Sequence, residues 1–479
     1  MTASQHSRTS AQNAPQDLGT RAPLHKICVL GLGYIGLPTA AMFASHGFQV
    51  VGVDINERVV ETLNQSEVHI HEPGLKTLVQ AALKTGNLRV ARQPEPADVF
   101  IIAVPTPLSP VSGPPSPKAD LSYVIAAAES IVPHLRSGNL IILESTVPPR
   151  TTVDILVPIL ERSGIGVSAG QFSSAPVHPS TSTLYVAHCP ERVLPGRILE
   201  ELVCNDRVIG GVDQASAEMA KALYASFVEG EIFLTDATTA EMVKLMENTY
   251  RDVNIALANE FALVAERLGI NVWEAIELAN RHPRVNILKP GPGVGGHCLA
   301  VDPWFIVQVA PEVTPLIQTA RRVNDSMPAH VVELVKRALA EGKTGDQGPE
   351  TEDKLPSPVS GPPSHRIAVL GLAYKANIND LRESPALRVV EGLAALSYEL
   401  RLCDPHVNEA FPWPLLPLLE AVKGADCLVL LTDHAEFTAL RPQVVGPLMR
   451  HRRVVDARGC IKVQEWVAEG FQVMILGDG

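Results

Sequence analysis

No run of about eighteen apolar residues occurs anywhere in the 479-residue chain, and residues 1–24 are polar, without the apolar stretch of a secretory leader. Neither membrane spanning nor secretion is expected, and the N-terminal arm reads as disordered. Positive charge is short: 40 Lys and Arg stand against 52 Asp and Glu, a net charge of -12, so no basic field exists to gather nucleic acid. Paired cysteines are missing too. The seven (Cys28, Cys189, Cys204, Cys298, Cys403, Cys427 and Cys460) are odd in number and widely spaced, with no C-x-x-C, which argues against a disulfide framework and gives no zinc pattern. A reducing, cytoplasmic setting without a bound metal is the expectation. What remains, 46% hydrophobic and 19% charged residues, is the balance of an ordinary globular protein, too long for one core and sized for about three domains.

The first domain is legible from its glycines. A short apolar strand from His25 runs into Gly31-Leu-Gly33-Tyr34-Ile35-Gly36 and an Ala-rich helical pattern, and a second strand from Phe48 ends in Asp54. Strand, G-x-G-x-x-G, helix, strand and acid in that order form a dinucleotide fingerprint. The glycines allow a tight turn and let backbone approach a pyrophosphate at a helix N-terminus, while the acid holds the adenosine ribose hydroxyls. Asp54 would repel a 2′-phosphate, so NAD is expected over NADP, contacted by Gly31, Gly33, Tyr34, Ile35, Gly36 and Asp54. Buried strands follow within residues 98–107 and 139–148. At their ends Thr106 and Thr146 are cofactor contacts or hydroxyls that cap the next turn. Pro/Ser-rich stretches near residues 108–118 and 168–183 read as surface insertions. The domain is drawn over residues 25–212.

A further short strand, residues 183–187, leads into His188-Cys189-Pro190-Glu191-Arg192. Glu191 is a site carboxylate or a solvated side chain beside a proline turn; His188 and Cys189 make poor zinc spacing. From residue 236 to 268 the period is helical, with apolar positions at Met242, Leu245, Met246, Leu257, Phe261 and Val264. Lys244 and Asn248 lie one turn apart on this long helix, aiming an ammonium and an amide into one pocket or belonging to its solvated face. Arg284 follows, suited to a phosphate or carboxylate. Lys289-Pro-Gly-Pro-Gly-Val-Gly-Gly-His-Cys298 then packs glycine and proline too densely for helix or sheet, and delivers Cys298 to a helix expected to start at that residue. Pro303 falls in the first turn, with Cys298 and Asp302 one turn apart on one face. A thiol at a helix N-terminus tends to ionise, and the carboxylate can act as a base toward water; a buried, inert cysteine is the other reading. Residues 213–341 are drawn as this helical middle domain.

Residues 342–364, rich in Gly, Pro, Asp, Glu and Ser, read as a linker. Over residues 365–479 the first plan repeats: Arg366-Ile-Ala-Val-Leu-Gly-Leu-Ala-Tyr374 echoes the first strand and turn, and the strand ending in Asp404 echoes the one ending in Asp54. Ala373 replaces the second glycine and crowds the place of a pyrophosphate, so a different ligand is expected there. Lys375, Arg382 and Arg458 are cations offered at strand ends, or plain surface charges. The fold class is α/β: two Rossmann-like domains with parallel sheets, joined by a helical middle domain with a long central helix.

Together these motifs resemble the nucleotide-sugar 6-dehydrogenases, the UDP-glucose/GDP-mannose dehydrogenase family, from about residue 25 onward. Cys189-Pro-Glu-Arg-Val-Leu-Pro195, Asn205-Asp-Arg-Val-Ile-Gly-Gly211, Arg251-Asp-Val-Asn-Ile-Ala-Leu-Ala-Asn-Glu260 and Gly295-Gly-His-Cys298 look most like the branch acting on UDP-N-acetyl-D-mannosamine. The resemblance implies an NAD domain, a helical middle that dimerises and a C-terminal domain for the UDP-sugar. It makes Cys298 the catalytic thiol, Lys244 and Asn248 the oxyanion and water-holding pair, Asp302 the residue assisting water and Glu191 the first active-site glutamate. It puts Arg192, Arg284 and Gly295 at the substrate, Arg284 from a neighbouring subunit, with Lys375 and Arg458 as substrate cations of the C-terminal domain and Arg382 at the cofactor.

Pro195 and Val301 stand where members acting on UDP-glucose carry a glutamate and a lysine. UDP-N-acetylmannosamine is therefore the implied substrate, with UDP-N-acetylglucosamine as runner-up. Cys204 departs from the lysine usual in that branch. Taking a CH2OH to a carboxylate removes four electrons, so two NAD are used in turn. Cys298 traps the aldehyde as a thiohemiacetal, the second hydride leaves a thioester, and water directed by Asp302 releases the acid. Lys244 stabilises the oxyanions, worth roughly 3 to 4 kcal/mol per donor in comparable sites. Two other classes stand beside this one. An NAD-using epimerase or lyase has no use for a thiolate at Cys298, and a catalytically inactive NAD/UDP-sugar sensor has none for the full set of polar residues.

Overall fold

The computed structural model describes residues 24–109, 117–168, 183–340, 365–408 and 413–479. The N-terminal arm, the bulk of both Pro/Ser-rich stretches and the linker expected from the sequence lie outside the described residues.

The first sheet is built from β1 (Lys26–Leu30), β2 (Gln49–Val53), β3 (Leu88–Ala91), β4 (Val99–Ile102), β5 (Leu140–Leu143), β6 (Gly166–Val167), β7 (Thr183–His188), β8 (Arg207–Gly211) and β9 (Ile232–Asp236). Its order is β3-β2-β1-β4-β5-β7-β8-β9, with β6 on β7, and only the β7–β8 pairing is antiparallel. Alternate residues of one strand feed opposite cores: Ile27, Val29, Ile101 and Ile142 enter one, Cys28, Leu30, Phe100 and Ile141 the other. Both faces are covered, which is why these strands read as unbroken apolar runs. Strand order reverses between β1 and β4, and such a reversal opens a crevice at the carboxyl ends where ligands bind.

The sheet continues past residue 212, where the sequence reading ended the domain. β8 turns back along β7 and β9 adds to it, reaching Asp236. Glycines permit this crowding: a Cβ on Gly210 would lie 2.4 Å from the Asp236 carbonyl oxygen, and one on Gly211 2.2 Å from that of Asp213.

Asp236 then caps the long helix, Ala237–Leu268, accepting the Thr239 N–H at 2.9 Å, and Gly269 closes it at φ +68°. A second long helix, Pro315–Ala340, packs along it through buried polar groups. Arg321 donates to Asp252 at 2.5 Å, Asn324 to the same carboxylate at 2.8 Å, and Asn259 to the Asn324 side chain at 2.9 Å. Of the apolar positions that mark the helical period, Leu245 is buried, but Met246, Leu257, Phe261 and Val264 are exposed, as are Tyr250 and Leu268. They form a stripe on one side of the helix, because small residues (Ala256, Ala258, Ala262 and Ala265) fill the packed side.

The second sheet holds β10 (Arg366–Leu370), β11 (Glu399–Cys403), β12 (Cys427–Leu430), β13 (Arg453–Asp456) and β14 (Gln472–Ile475) in the order β11-β10-β12-β13-β14, all parallel. The fold is thus the expected pair of parallel α/β units about a helical middle.

Candidate active site

The cysteine loop is held from two sides. Gly291 donates its N–H to the Asn259 side chain on the long helix at 2.9 Å, and Gly296 donates to the Arg382 carbonyl at 3.0 Å. A Cβ on Gly295 would come 2.6 Å from the Glu383 carbonyl oxygen and 2.8 Å from the Tyr374 Cβ, so the loop lies on the second domain's glycine turn only because it lacks side chains there.

Cys298 sits in a turn, and the helix starts one turn later, at Asp302 (Asp302–Val309), with Pro303 in its first turn as expected. The Cys298 carbonyl accepts the N–H of both Val301 and Asp302, at 3.0 and 2.8 Å, which makes the entry tighter than α-helix. The displaced start alters the expected chemistry. Burial, with Asp302 adding to it, pushes the Cys298 thiol up to about 11 against the pull of Lys244 and Arg382, so the free protein holds a thiol where a thiolate was expected.

Lys244 and Asn248 are buried, which removes the solvated-face alternative. Leu245 packs with Val301, Phe305 and Ile306, fixing the long helix against the one that carries Asp302. Asn248 donates to the Asp302 carboxylate at 2.5 Å. Burial pushes Asp302 up to about 6, with Lys244 and the Asn248 bond holding it from rising further. A thiol, an ammonium, an amide and a carboxylate that titrates near neutrality therefore occupy one buried locus. This set can stabilise an oxyanion and take a proton from sulfur or water.

Arg382 reaches this locus from the second domain. It grips Asp380 through two nitrogens, at 2.9 and 2.6 Å, and its guanidinium carbon lies 5.1 Å from the centre of the Tyr34 ring. The C-terminal domain thus touches the first glycine turn. His297 lies 3.9 Å from Asp380, but burial and Arg382 push it down to about 4, so it is neutral at physiological pH. Arg458 pairs with Asp433 at 2.9 Å and faces the cysteine loop, where a Cβ on Gly291 would lie 2.8 Å from it.

The first glycine turn fits a dinucleotide. Gly31 has φ +89° and a Cβ there would lie 2.6 Å from the Ala103 carbonyl oxygen, while one on Gly36 would strike the Gly31 carbonyl at 1.8 Å. At Gly33 the Cβ position is open, which is what close approach of a pyrophosphate needs. Ile35 precedes the helix Gly36–Ser45, and Asp54 accepts the Leu32 N–H at 2.9 Å, bracing the turn. Thr106 donates its hydroxyl to the Thr146 carbonyl at 2.6 Å, which ties the ends of β4 and β5 together. In the second domain Asp404 makes the equivalent bond to the Leu372 N–H, at 2.7 Å, and also takes the N–H of Ala373, at 3.1 Å, and Ala373 is buried.

Four expected residues show no contact with the Cys298 cluster. Glu191 accepts from Arg207 at 2.9 Å and from the Arg192 N–H at 2.7 Å. Arg192 pairs with Glu247 of the long helix at 2.5 Å. Arg284 is exposed, as is Lys375. Sequence reasoning missed Asn259, Asp380 and Arg207. Arg207 stood inside the quoted stretch 205–211, so its position was visible and its task was not. Among the described residues no group of three or more His, Cys, Asp or Glu side chains can hold a metal ion.

Comparison with known proteins covers nearly the whole chain. The NAD binding domain of the UDP-glucose/GDP-mannose dehydrogenase family matches residues 25–228, its central domain residues 238–326 and its UDP binding domain residues 368–463. A Methanocaldococcus jannaschii protein named UDP-N-acetyl-D-mannosamine dehydrogenase is 50% identical over 457 residues, 95% of this chain and 97% of that one. An NDP-N-acetyl-D-galactosaminuronic acid dehydrogenase from Ralstonia nicotianae is 47% identical over 439 residues, 90% of this chain and 95% of its own. Among solved structures, a UDP-D-ManNAc dehydrogenase from Pyrococcus horikoshii shares 45% identity at a TM-score of 0.82, covering 95% of this chain and 99% of that one.

Proposed function

The chain belongs to the UDP-glucose/GDP-mannose dehydrogenase family, and on that premise we propose that it oxidises the C6 hydroxyl of UDP-N-acetyl-D-mannosamine to the carboxylate, giving UDP-N-acetyl-D-mannosaminuronate. It is an NAD-dependent nucleotide-sugar dehydrogenase. The observation that carries the mechanism is the buried cluster of Lys244, Asn248 and Asp302 one turn from Cys298.

NAD, when bound at the first glycine turn, accepts a hydride, and two molecules are used in succession. The protein's residues do the rest. Lys244 places a positive charge where the sugar oxygen gains negative charge, first as alkoxide and then as tetrahedral oxyanion. Cys298 adds through sulfur to the aldehyde carbon. Its proton must leave as it attacks, and Asp302, at about 6, is the base one turn away. After the thiohemiacetal oxyanion has become a thioester, Asp302 gives the thiol proton up to solvent, then takes a proton from water while Asn248 keeps the carboxylate aimed. Water then displaces the thiol. Glu191 and Arg192 belong to the sugar side of this reading, and Lys375 and Arg458 to the nucleotide side.

The reading includes an NAD domain over residues 25–212 whose sheet runs on to Asp236, a middle domain to residue 341 and a UDP-sugar domain from residue 365. It also includes a homodimer formed through the exposed stripe of Met246, Tyr250, Leu257, Phe261, Val264 and Leu268, with Arg284 reaching the neighbouring site. A cytoplasmic setting is part of it, supported by the free state of all seven cysteines.

The test is NADH formation with a panel of UDP-sugars. UDP-N-acetylmannosamine should turn over fastest, ahead of UDP-N-acetylglucosamine, with two NADH per sugar. UDP-glucose consumed as quickly would overturn the substrate assignment, and no NADH with any sugar would leave an inactive sensor.

A further inference from the structure

The strand that makes the antiparallel pairing in the first sheet carries an arginine to the edge where substrates lie. Because β8 runs back along β7, with Gly210 opposite His188 and Gly211 opposite Ala187, its first residue, Arg207, stands beyond the carboxyl end of β7. There it meets the residues that follow β5 and β7. Arg207 donates to Glu191 at 2.9 Å and to the Cys189 sulfur at 3.5 Å, and it lies 3.8 Å from Glu144. Its guanidinium carbon is 4.5 Å from the centre of the Tyr224 ring, and the Tyr224 hydroxyl donates to Glu144 at 2.6 Å. Arg207 is 4% exposed, Glu191 8% and Glu144 2%. One guanidinium therefore serves two carboxylates where water cannot screen them.

We propose that Arg207 is a positioning residue for Glu191, and that Glu144, by competing for the same guanidinium, sets how firmly Glu191 is held. The inference rests on the reading of Glu191 as an active-site carboxylate. An uncharged Glu144 is occupied by Tyr224 and leaves Arg207 committed to Glu191. An ionised Glu144 draws the cation toward itself and places a second negative charge beside the first. Burial, and next the charge of Glu191, push Glu144 up to about 7 against the pull of Arg207, so the exchange falls in the working range of pH. The groups facing Glu144 are Glu191, Arg207, Tyr224, Cys189 and the uncharged Thr39 hydroxyl, and burial pushes the Cys189 thiol up to about 12. Neither that thiol nor the Tyr224 hydroxyl, also pushed up by burial, ionises near neutrality.

Steady-state kinetics with UDP-N-acetylmannosamine and saturating NAD, from about pH 5 to about pH 9, test this. The parent should show an inflection near pH 7 that Glu144→Gln, which keeps an acceptor for Tyr224, lacks. The acid limb belonging to Asp302 should survive in that variant. Arg207→Lys should lower kcat by about ten- to a hundredfold with a much smaller change in KM, as expected when a catalytic group is misplaced and ligand binding is spared. Thermal unfolding of each variant separates this from loss of fold. Should Arg207 variants fail to fold, the Glu144→Gln profile decides alone. The same inflection in Glu144→Gln as in the parent overturns the inference. Glu191→Gln with the parent's kcat and KM would instead remove the reading beneath it, whereas an impaired Glu191→Gln beside an unchanged Glu144→Gln profile removes this inference only.

Discussion

The Asn248 amide donates to the Asp302 carboxylate at 2.5 Å, across 54 positions of sequence. It joins the long helix to the first turn of the helix after the cysteine loop, and it keeps a buried carboxylate in one orientation one turn from the thiol. Charge at that point is costly to the fold and useful to the reaction.

Asp302 should make the protein less stable as pH rises. Its folded value of about 6 lies above the unfolded 3.8, so the folded state binds the extra proton between these values. Stability from this group is full below about pH 4 and falls by roughly 3 kcal/mol by the time pH has passed about 6. Asp302→Asn should lack that component. Urea titrations of parent and variant on both sides of the window measure it; equal pH slopes would show that Asp302 is not buried as a charge.

Cys298 should carry the intermediate. Cys298→Ala is expected to lose overall turnover while keeping NAD and UDP-sugar affinity, since neither ligand is held mainly by that side chain. Asp302→Asn should form the thioester and hydrolyse it slowly, so acid-quenched protein should show the sugar adduct by intact mass. One NADH per sugar in the parent, or full activity without the thiol, would point to another nucleophile.

The free enzyme should alkylate slowly at Cys298. With the thiol pushed up to about 11, the rate with iodoacetamide should rise about tenfold per pH unit through neutral and mildly alkaline pH. Lys244→Met, which removes a charge that favours the thiolate, should slow it further. A rate that levels off near pH 7 would mean that the thiolate is already present in the free protein.

The exposed stripe on the long helix should be an interface. Leu257→Asp or Phe261→Asp, at positions 42% and 40% exposed, should leave a folded chain that sediments as a monomer. Activity should fall with dissociation if Arg284 serves the neighbouring site. A parent that is itself monomeric at micromolar concentration would refute the proposed dimer.

The local devices of this protein were legible in its sequence. The turn from Gly31 to Gly36, the strand ending in Asp54 and the helix from Ala237 to Leu268 depend on neighbours a few residues away, where backbone freedom and period act. Cys298 and Asp302 could likewise be placed one turn apart. Tertiary structure decided the rest. It moved the helix start to Asp302, drove the Cys298 proton affinity up and left Met246, Leu257 and Phe261 facing outward. It also turned β8 back so that Arg207 meets Glu144 and Glu191. These outcomes share one cause. Burial and the distance between charges are set by segments far apart in the chain, and no spacing along the sequence encodes the loss of water that shifts a proton or commits an arginine to one carboxylate.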